Sequence, residues 1–452
     1  MTSRRLLVSL VPLAVLGMLA ALLAAAPTYA AAPVLTASAP ATGYTGAVLT
    51  VTGTATPIGG DLTLERRSAA GPWQPVTTGR PAADGTYALR LVVAAGLQTL
   101  RVTYRSAEGT VARELRVTGV AAPARVTLAG ARRLVDGKRL TLTARWATVD
   151  GRQVSGSAQL YGRRAGSATW TRRAAVRITA GVGSVRVRPR VDTIYQLRTP
   201  ATALVRPGAS SGHTVDNLPP GRVVRLPAGA PAPRRTLPPQ RRAIAAGPHV
   251  RVKKISARVW RSMKGRSWHR GCPVGRSSLR LVEASYYAYD GYRRRGELVV
   301  HRSVAKATKR VLIDLYEAKA PIRSMYRVDR FGWSRRLRGG DDMKSMAAGN
   351  SSAFNCRGVV GRPGTRSPHS TGRSIDLNTW ENPYRSGWGL VPNSAWDSRR
   401  SPTAIVYRSR KHAVVRIMAR HGFRWLGSAD WQHFQYAGRG ARHLPTPRTF
   451  LD

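Results

Sequence analysis

The sequence predicts a multidomain chain with two N-terminal all-β sandwiches, a Pro/Arg-rich linker and a C-terminal α+β domain. Three observations predict it. At 452 residues the chain is too long for one ordinary core. Residues 33–120 and 122–206 hold short runs of alternating apolar and polar residues between Gly-containing turns, as sandwich strands do. Over 251–452, helical spacing joins the strand-like runs.

The first element is a leader. Arg4-Arg5 precedes an uncharged apolar run from Leu6 to Ala26, and the small residues Ala30, Ala31 and Ala32 follow. Residues 1–31 therefore read as a secretory signal peptide cleaved near Ala30 to Ala32. The run is long enough that an uncleaved membrane anchor is the alternative, although Pro12 interrupts it. Export predicts a secreted, extracellular or wall-associated protein. It also permits a disulfide, and the two cysteines, Cys272 and Cys356, are expected to form one.

In the first module, Val48 to Gly53 and Tyr87 to Leu91 read as strands, with a turn at Asp84-Gly85. In the second, Leu140 to Ala144, Ala158 to Tyr161 and Val185 to Val187 do the same. The modules share an order: Arg66-Arg67 before Trp73, and Arg163-Arg164 before Trp170. This suggests a diverged repeat of about 85 residues, the size of an immunoglobulin-like sandwich. Neither copy has an internal cysteine pair, so that likeness is architectural. Trp73 and Trp170 are expected in the cores.

Residues 207–250 carry Pro219-Pro220, Pro231, Pro233 and Pro238-Pro239 among arginines and are expected to form a semi-extended, solvated linker. Beyond it, Arg280 to Ala288 and Glu297 to His301 read as strands. Ser303 to Lys319 reads as an amphipathic helix stopped by Pro321, and Ser409 to His421 as another, with Gly422 at its C′ position.

The net charge of +52, almost all arginine, has two readings. It would attract polyanions such as anionic wall polymers, or it records a composition in which Arg, Ala, Gly and Pro rise together. Export argues against nucleic acid as a partner. No second stretch is long and apolar enough to span a bilayer, so no membrane partner is expected unless the leader stays attached.

The densest chemistry lies in Ser367-Pro-His369-Ser-Thr-Gly372-Arg-Ser-Ile-Asp376 and Asp430-Trp-Gln-His433. Two imidazoles and a carboxylate can hold a metal, and a second carboxylate can handle a proton. In Ser374 to Asn378 a strand would bury Ile375 and Leu377 and present Asp376 on the other face. A loop or bulge at Gly372 must then bring His369 back. Asp430 and His433 need either a helical turn or a bend just before a strand. Among the other histidines, His421 reads as a helix end, and His213, His249 and His443 as solvent-facing.

These motifs resemble a family of bacterial and phage zinc peptidases, the D-alanyl-D-alanine carboxypeptidases and L-alanyl-D-glutamate endopeptidases. Asp342 to Arg357 resembles the family's segment before the first ligand, and Glu381-Asn382-Pro383-Tyr384 the segment after Asp376. The resemblance runs from about Cys272 to Tyr436. It implies that the C-terminal domain, 251–452, is a zinc peptidase, with His369, Asp376 and His433 holding Zn²⁺ and Asp430 as general base. By the same analogy Arg357 steadies the oxyanion and Ser367 supports the site. Many members have Glu where this chain has Asp430, which is one methylene shorter.

The expected function is hydrolysis of peptide bonds in peptidoglycan stem peptides, with D-Ala-D-Ala carboxypeptidase favoured over L-Ala-D-Glu endopeptidase. The alternative is a non-catalytic cationic wall-binding protein carrying a relic peptidase domain. Stoichiometric zinc separates the two.

Overall fold

The computed structural model describes residues 31–68, 71–243 and 245–438. The expected leader, apart from Ala31, lies outside them, as does His443. The chain is mostly β, with sandwich-like sheets in its N-terminal half and an α+β region with few helices at its C-terminal end. Among the described residues no helix is long and apolar enough to cross a membrane. The chain divides into two compact units. One comprises Met1–Arg125, Ala147–Val154 and Pro200–Gly208; the other comprises Val126–Trp146, Ser155–Thr199 and Ala209–Asp452.

In the first unit, alternation in sequence becomes alternation in burial. Val48–Thr56 pairs with Val34–Leu35 and Thr86–Val92 in a three-stranded sheet. A five-stranded sheet runs in the order Thr42–Tyr44, Gly109–Val120, Gly96–Ser106, Asp61–Ser68, Gln74–Gly79. Val51, Leu89 and Leu91 from one sheet join Leu62, Leu64, Leu100, Val102 and Tyr104 from the other in one core. Each set is spaced by two, as inward-facing strand residues must be.

The second unit opens with another set of strands. Thr193–Thr199, Gly156–Arg164, Thr171–Thr179 and Val182–Val187 are consecutive neighbours in its sheet. Trp146, Leu142, Leu160, Ile178 and Leu197 are buried there. Trp73 and Trp170 are not core residues, contrary to expectation. Both are half-buried. The guanidiniums of Arg67 and Arg101 lie 4.4 and 4.3 Å from the Trp73 ring, and those of Arg163 and Arg198 lie 5.1 and 5.6 Å from Trp170. Long arginine side chains from adjacent strands cover the indoles on the outer face. His213, expected at the surface, is buried at 5 % exposure on the strand His213–Leu218. His249 is exposed.

Residues 207–250 are not a solvated spacer. His213–Leu218 pairs with Thr193–Thr199 and so belongs to the second sheet. The proline-bearing remainder lies along the α+β region. Proline has no N–H to offer a ladder, and two of the proline carbonyls accept from side chains. Trp380 Nε1 donates to Pro231 O (2.7 Å) and Tyr326 Oη to Pro238 O (2.6 Å). Gln240 meets both backbone groups of Met325: its Nε2 donates to Met325 O (2.8 Å), and its Oε1 accepts from Met325 N (2.9 Å) and from Tyr286 Oη (2.7 Å). Asp136, with a fully buried carboxylate, faces Arg190 (2.9 Å), Arg242 (3.7 Å) and Arg293 (3.9 Å).

In the α+β region, Arg251–Lys254, Leu279–Tyr287 and Arg293–His301 form one antiparallel sheet; Ser374–Asp376, His433–Tyr436 and Phe423–Trp425 form another. The helix Ala305–Glu317 buries Val311, Leu312 and Leu315, and the helix Ala413–Arg420 buries Val414, Val415, Ile417 and Met418. These apolar stripes pack with Val282, Leu298, Ile375, Phe423 and Phe434 in one core. His421 ends the second helix, and Gly422 follows at φ +85°. Cys272 and Cys356 form a disulfide, their Cα atoms 5.9 Å apart.

Candidate metal centre

The site is built on one antiparallel strand pair. Asp376 stands opposite His433, Ile375 opposite Phe434, and Ser374 opposite Gln435. Side chains alternate across a sheet. Ile375 and Phe434 therefore enter the apolar core, while the polar pairs share the other face. His369 arrives from a short 3₁₀ turn, Pro368–Thr371. Ser367 caps that turn, its Oγ accepting from His369 N at 3.3 Å. Gly372 ends it in the left-handed region at φ +69°, and a Cβ there would stand 2.8 Å from His301 N. This is the return bend the sequence required. Asp430 is extended and sits three residues before His433, beyond the 3₁₀ turn Gly427–Ala429. Of the two possibilities, the structure takes the bend before a strand.

The three donors converge. His369 Nε2 lies 3.0 Å from His433 Nδ1 and 3.1 Å from Asp376 Oδ2, and His433 Nδ1 lies 3.0 Å from Asp376 Oδ1. All three residues are buried. The far ring nitrogens settle the tautomers. His369 Nδ1 faces the carbonyl of Ala353 at 2.6 Å, which can only accept a proton. His433 Nε2 faces Gln435 Oε1 at 3.4 Å, and that oxygen also accepts from Ser374 Oγ. Both inward nitrogens therefore present lone pairs, beside a carboxylate. Only a cation or a captured proton relieves such a cluster. A tetrahedral ion with bonds of about 2.0–2.1 Å sets its donors about 3.3 Å apart, close to the observed triangle. The donor set thus fits Zn²⁺.

The electrostatics agree. Burial opposes ionisation of Asp376, but the two imidazoles hold it well below the usual carboxylate range. Burial also opposes charge on His369, yet Asp376 raises its pKa above the ordinary imidazole value. Burial pushes Asp430 up to about 8, with Asp376 adding to the effect and His433 opposing it. Asp430 Oδ1 is buried and has no hydrogen-bond partner among the described residues.

Asp430, Arg357, Ser367 and the three donors line one cleft of ≈ 470 Å³. The Arg357 guanidinium is fixed by Asp342 at 2.5 Å and donates from Nη1 to Gly358 O at 2.8 Å. The sequence reading missed Gln435, Ser374 and the Ala353 carbonyl, which orient the imidazoles. Gln435 was accessible in principle, two residues from His433 on the same strand face. Tyr384, named only as part of the segment after Asp376 and given no role, lines the cleft and bridges to Asp430. A second three-donor group, His269, Cys272 and Cys356, is no metal site, because its sulfurs are bonded to each other.

No curated protein matches the sequence. Among solved structures, one similar chain is E. coli alpha-2-macroglobulin in its native conformation. It is 15 % identical with a TM-score of 0.19, covering 43 % of this chain and 18 % of its own. The chain thus spans under a fifth of that structure, and a likeness so low carries no weight for the fold. Residues 361–436, which contain His369, Asp376, Asp430 and His433, match the family described as D-alanyl-D-alanine carboxypeptidase, a family of zinc peptidases.

Proposed function

We propose that this protein is a secreted zinc peptidase that hydrolyses peptide bonds in peptidoglycan stem peptides, with terminal D-alanine as the favoured leaving group. The observation that carries the proposal is the convergence of two imidazole lone pairs and a carboxylate beside the buried Asp430, whose Oδ1 has no hydrogen-bond partner among the described residues. His369, Asp376 and His433 would hold Zn²⁺. The ion supplies Lewis acidity and lowers the pKa of water towards about 7.

The chain's own groups do the rest. Asp430 takes the proton of the attacking water and returns it to the leaving amine. Its burial, which favours the protonated carboxyl, suits a base that must hold that proton between steps. Arg357 faces the developing oxyanion, a contact of a kind worth roughly 3 kcal/mol. Ser367 acts through the backbone of His369 and is a positioning residue. In this reading the leader, 1–31, exports the chain, and the immunoglobulin-like modules hold it against anionic wall polymers.

Purified wall is the test substrate. Wild-type protein should release D-alanine or peptide, and mass spectrometry of the fragments identifies the bond. His369→Ala should lose both zinc and activity. Asp430→Ala should keep zinc and lose activity by about 10²–10⁴-fold. Full activity in either variant would overturn the assignment. Purification of the wild type without stoichiometric zinc would favour a relic domain.

A further inference from the structure

Two short hairpins wall the cleft on one side. The first, 358–366, leaves Arg357 and returns at Ser367, pairing Gly358 with Arg366. The second, 384–391, begins at Tyr384, pairs it with Val391, and is tied to the site by the bridge from Tyr384 to Asp430. Val359, Gly361, Tyr384 and Gly387 all line the cleft. The hairpin ends meet through glycine. A Cβ on Gly387 would stand 2.5 Å from the carbonyl oxygen of Gly361, and one on Gly361 would stand 2.6 Å from the Gly387 Cα. Only bare backbone permits so close an approach. Beneath the contact, Val360 and Val391 are buried with Leu337 and Met346, and Trp388 packs against them. Arg336 covers the Trp388 ring at 3.5 Å. The two hairpins are thus seated on a common apolar base.

We infer that this glycine-to-glycine closure is the specificity-determining wall of the cleft, admitting the free end of a short peptide and turning away a chain that continues past the site. The inference rests on the peptidase reading and deepens it. The cleft's ≈ 470 Å³ is the size that one small ligand fills, and both joined hairpins line it. The wall grows from Arg357 and Tyr384, so its distance from the reacting centre is fixed.

The test uses the full chain and two peptides, one ending in D-alanyl-D-alanine and one extended by several residues at that end. Zinc-loaded wild type should prefer the short peptide by about tenfold or more in kcat/KM. Gly387→Ala pries the two backbones apart, and Trp388→Ala loosens the base without touching the cleft lining. Both should bring the preference towards unity while hydrolysis of the short peptide persists. Gly275→Ala, with open space around its Cβ, should leave it unchanged. The same selectivity should appear without turnover, as the ratio of the two peptides' dissociation constants on metal-free protein. Equal handling of both peptides by wild type overturns the wall, as does an unchanged preference in folded Gly387→Ala. Should both variants lose their zinc or their Tm, the wild-type ratio still decides. Hydrolysis of neither peptide by zinc-loaded wild type overturns the peptidase reading itself, and this inference with it.

Discussion

His369 and His433 turn their lone pairs inward because the outward nitrogen of each ring is engaged elsewhere, by Ala353 O and Gln435 Oε1. Removing the Gln435 contact should therefore weaken the centre without deleting a ligand. Gln435→Ala is expected to lower zinc affinity by about 10–100-fold, measured by competition with a chromophoric chelator. Unchanged affinity would mean that the strand alone orients His433. Protons compete for the same nitrogens. Asp376 raises the His369 pKa in metal-free protein, so this imidazole holds a proton at pH values where a free one has lost it. Zinc must displace that proton. Affinity should be constant above the raised pKa and fall by about tenfold per pH unit below it. A flat profile between pH 5.5 and 8 would contradict this. The position of the candidate donor Asp376 was legible in the sequence because Ile375 and Leu377 mark the buried face and so place it on the other. Ala353 was not, because its carbonyl acts and its side chain carries no signal.

Elements fix these residues by means that can be broken singly. Gly372 ends the turn carrying His369 in a conformation that L-residues avoid, close against His301 N. Gly372→Ala should lower stability by about 1–2 kcal/mol for the backbone alone, more for the clash, and should weaken zinc binding in parallel. Loss of stability with undiminished zinc affinity would separate the turn from the site. The disulfide closes 84 residues and ends one position before Arg357. In the chain-entropy model such a loop is worth about 4 kcal/mol, so Cys272→Ser with Cys356→Ser should unfold at clearly lower denaturant. The helices Ala305–Glu317 and Ala413–Arg420 were legible from apolar spacing. The hairpins at 358–366 and 384–391 were not. Their strands run only two to five residues, too short for a period of two to show.

At the scale of the molecule, sandwich-like strands and an α+β region were legible, but the arginines read as a field for polyanions or a compositional bias, and the prolines as spacer. Neither composition says which carbonyl or carboxylate waits opposite. Asp136 gathers three arginines in one buried spot. Asp136→Ala should cost about 3–5 kcal/mol by leaving charge unpaired, read as a drop in Tm; a change within experimental error would show that water takes the carboxylate's place.

Gln240 bears on where the chain can be cut. Its amide offers Met325 a donor and an acceptor, as a neighbouring peptide group would, so a fragment trimmed to begin at 251 leaves with an open seam. Proteases should find intact protein resistant across the prolines, and recombinant pieces starting near 209 should outlast those starting at 251.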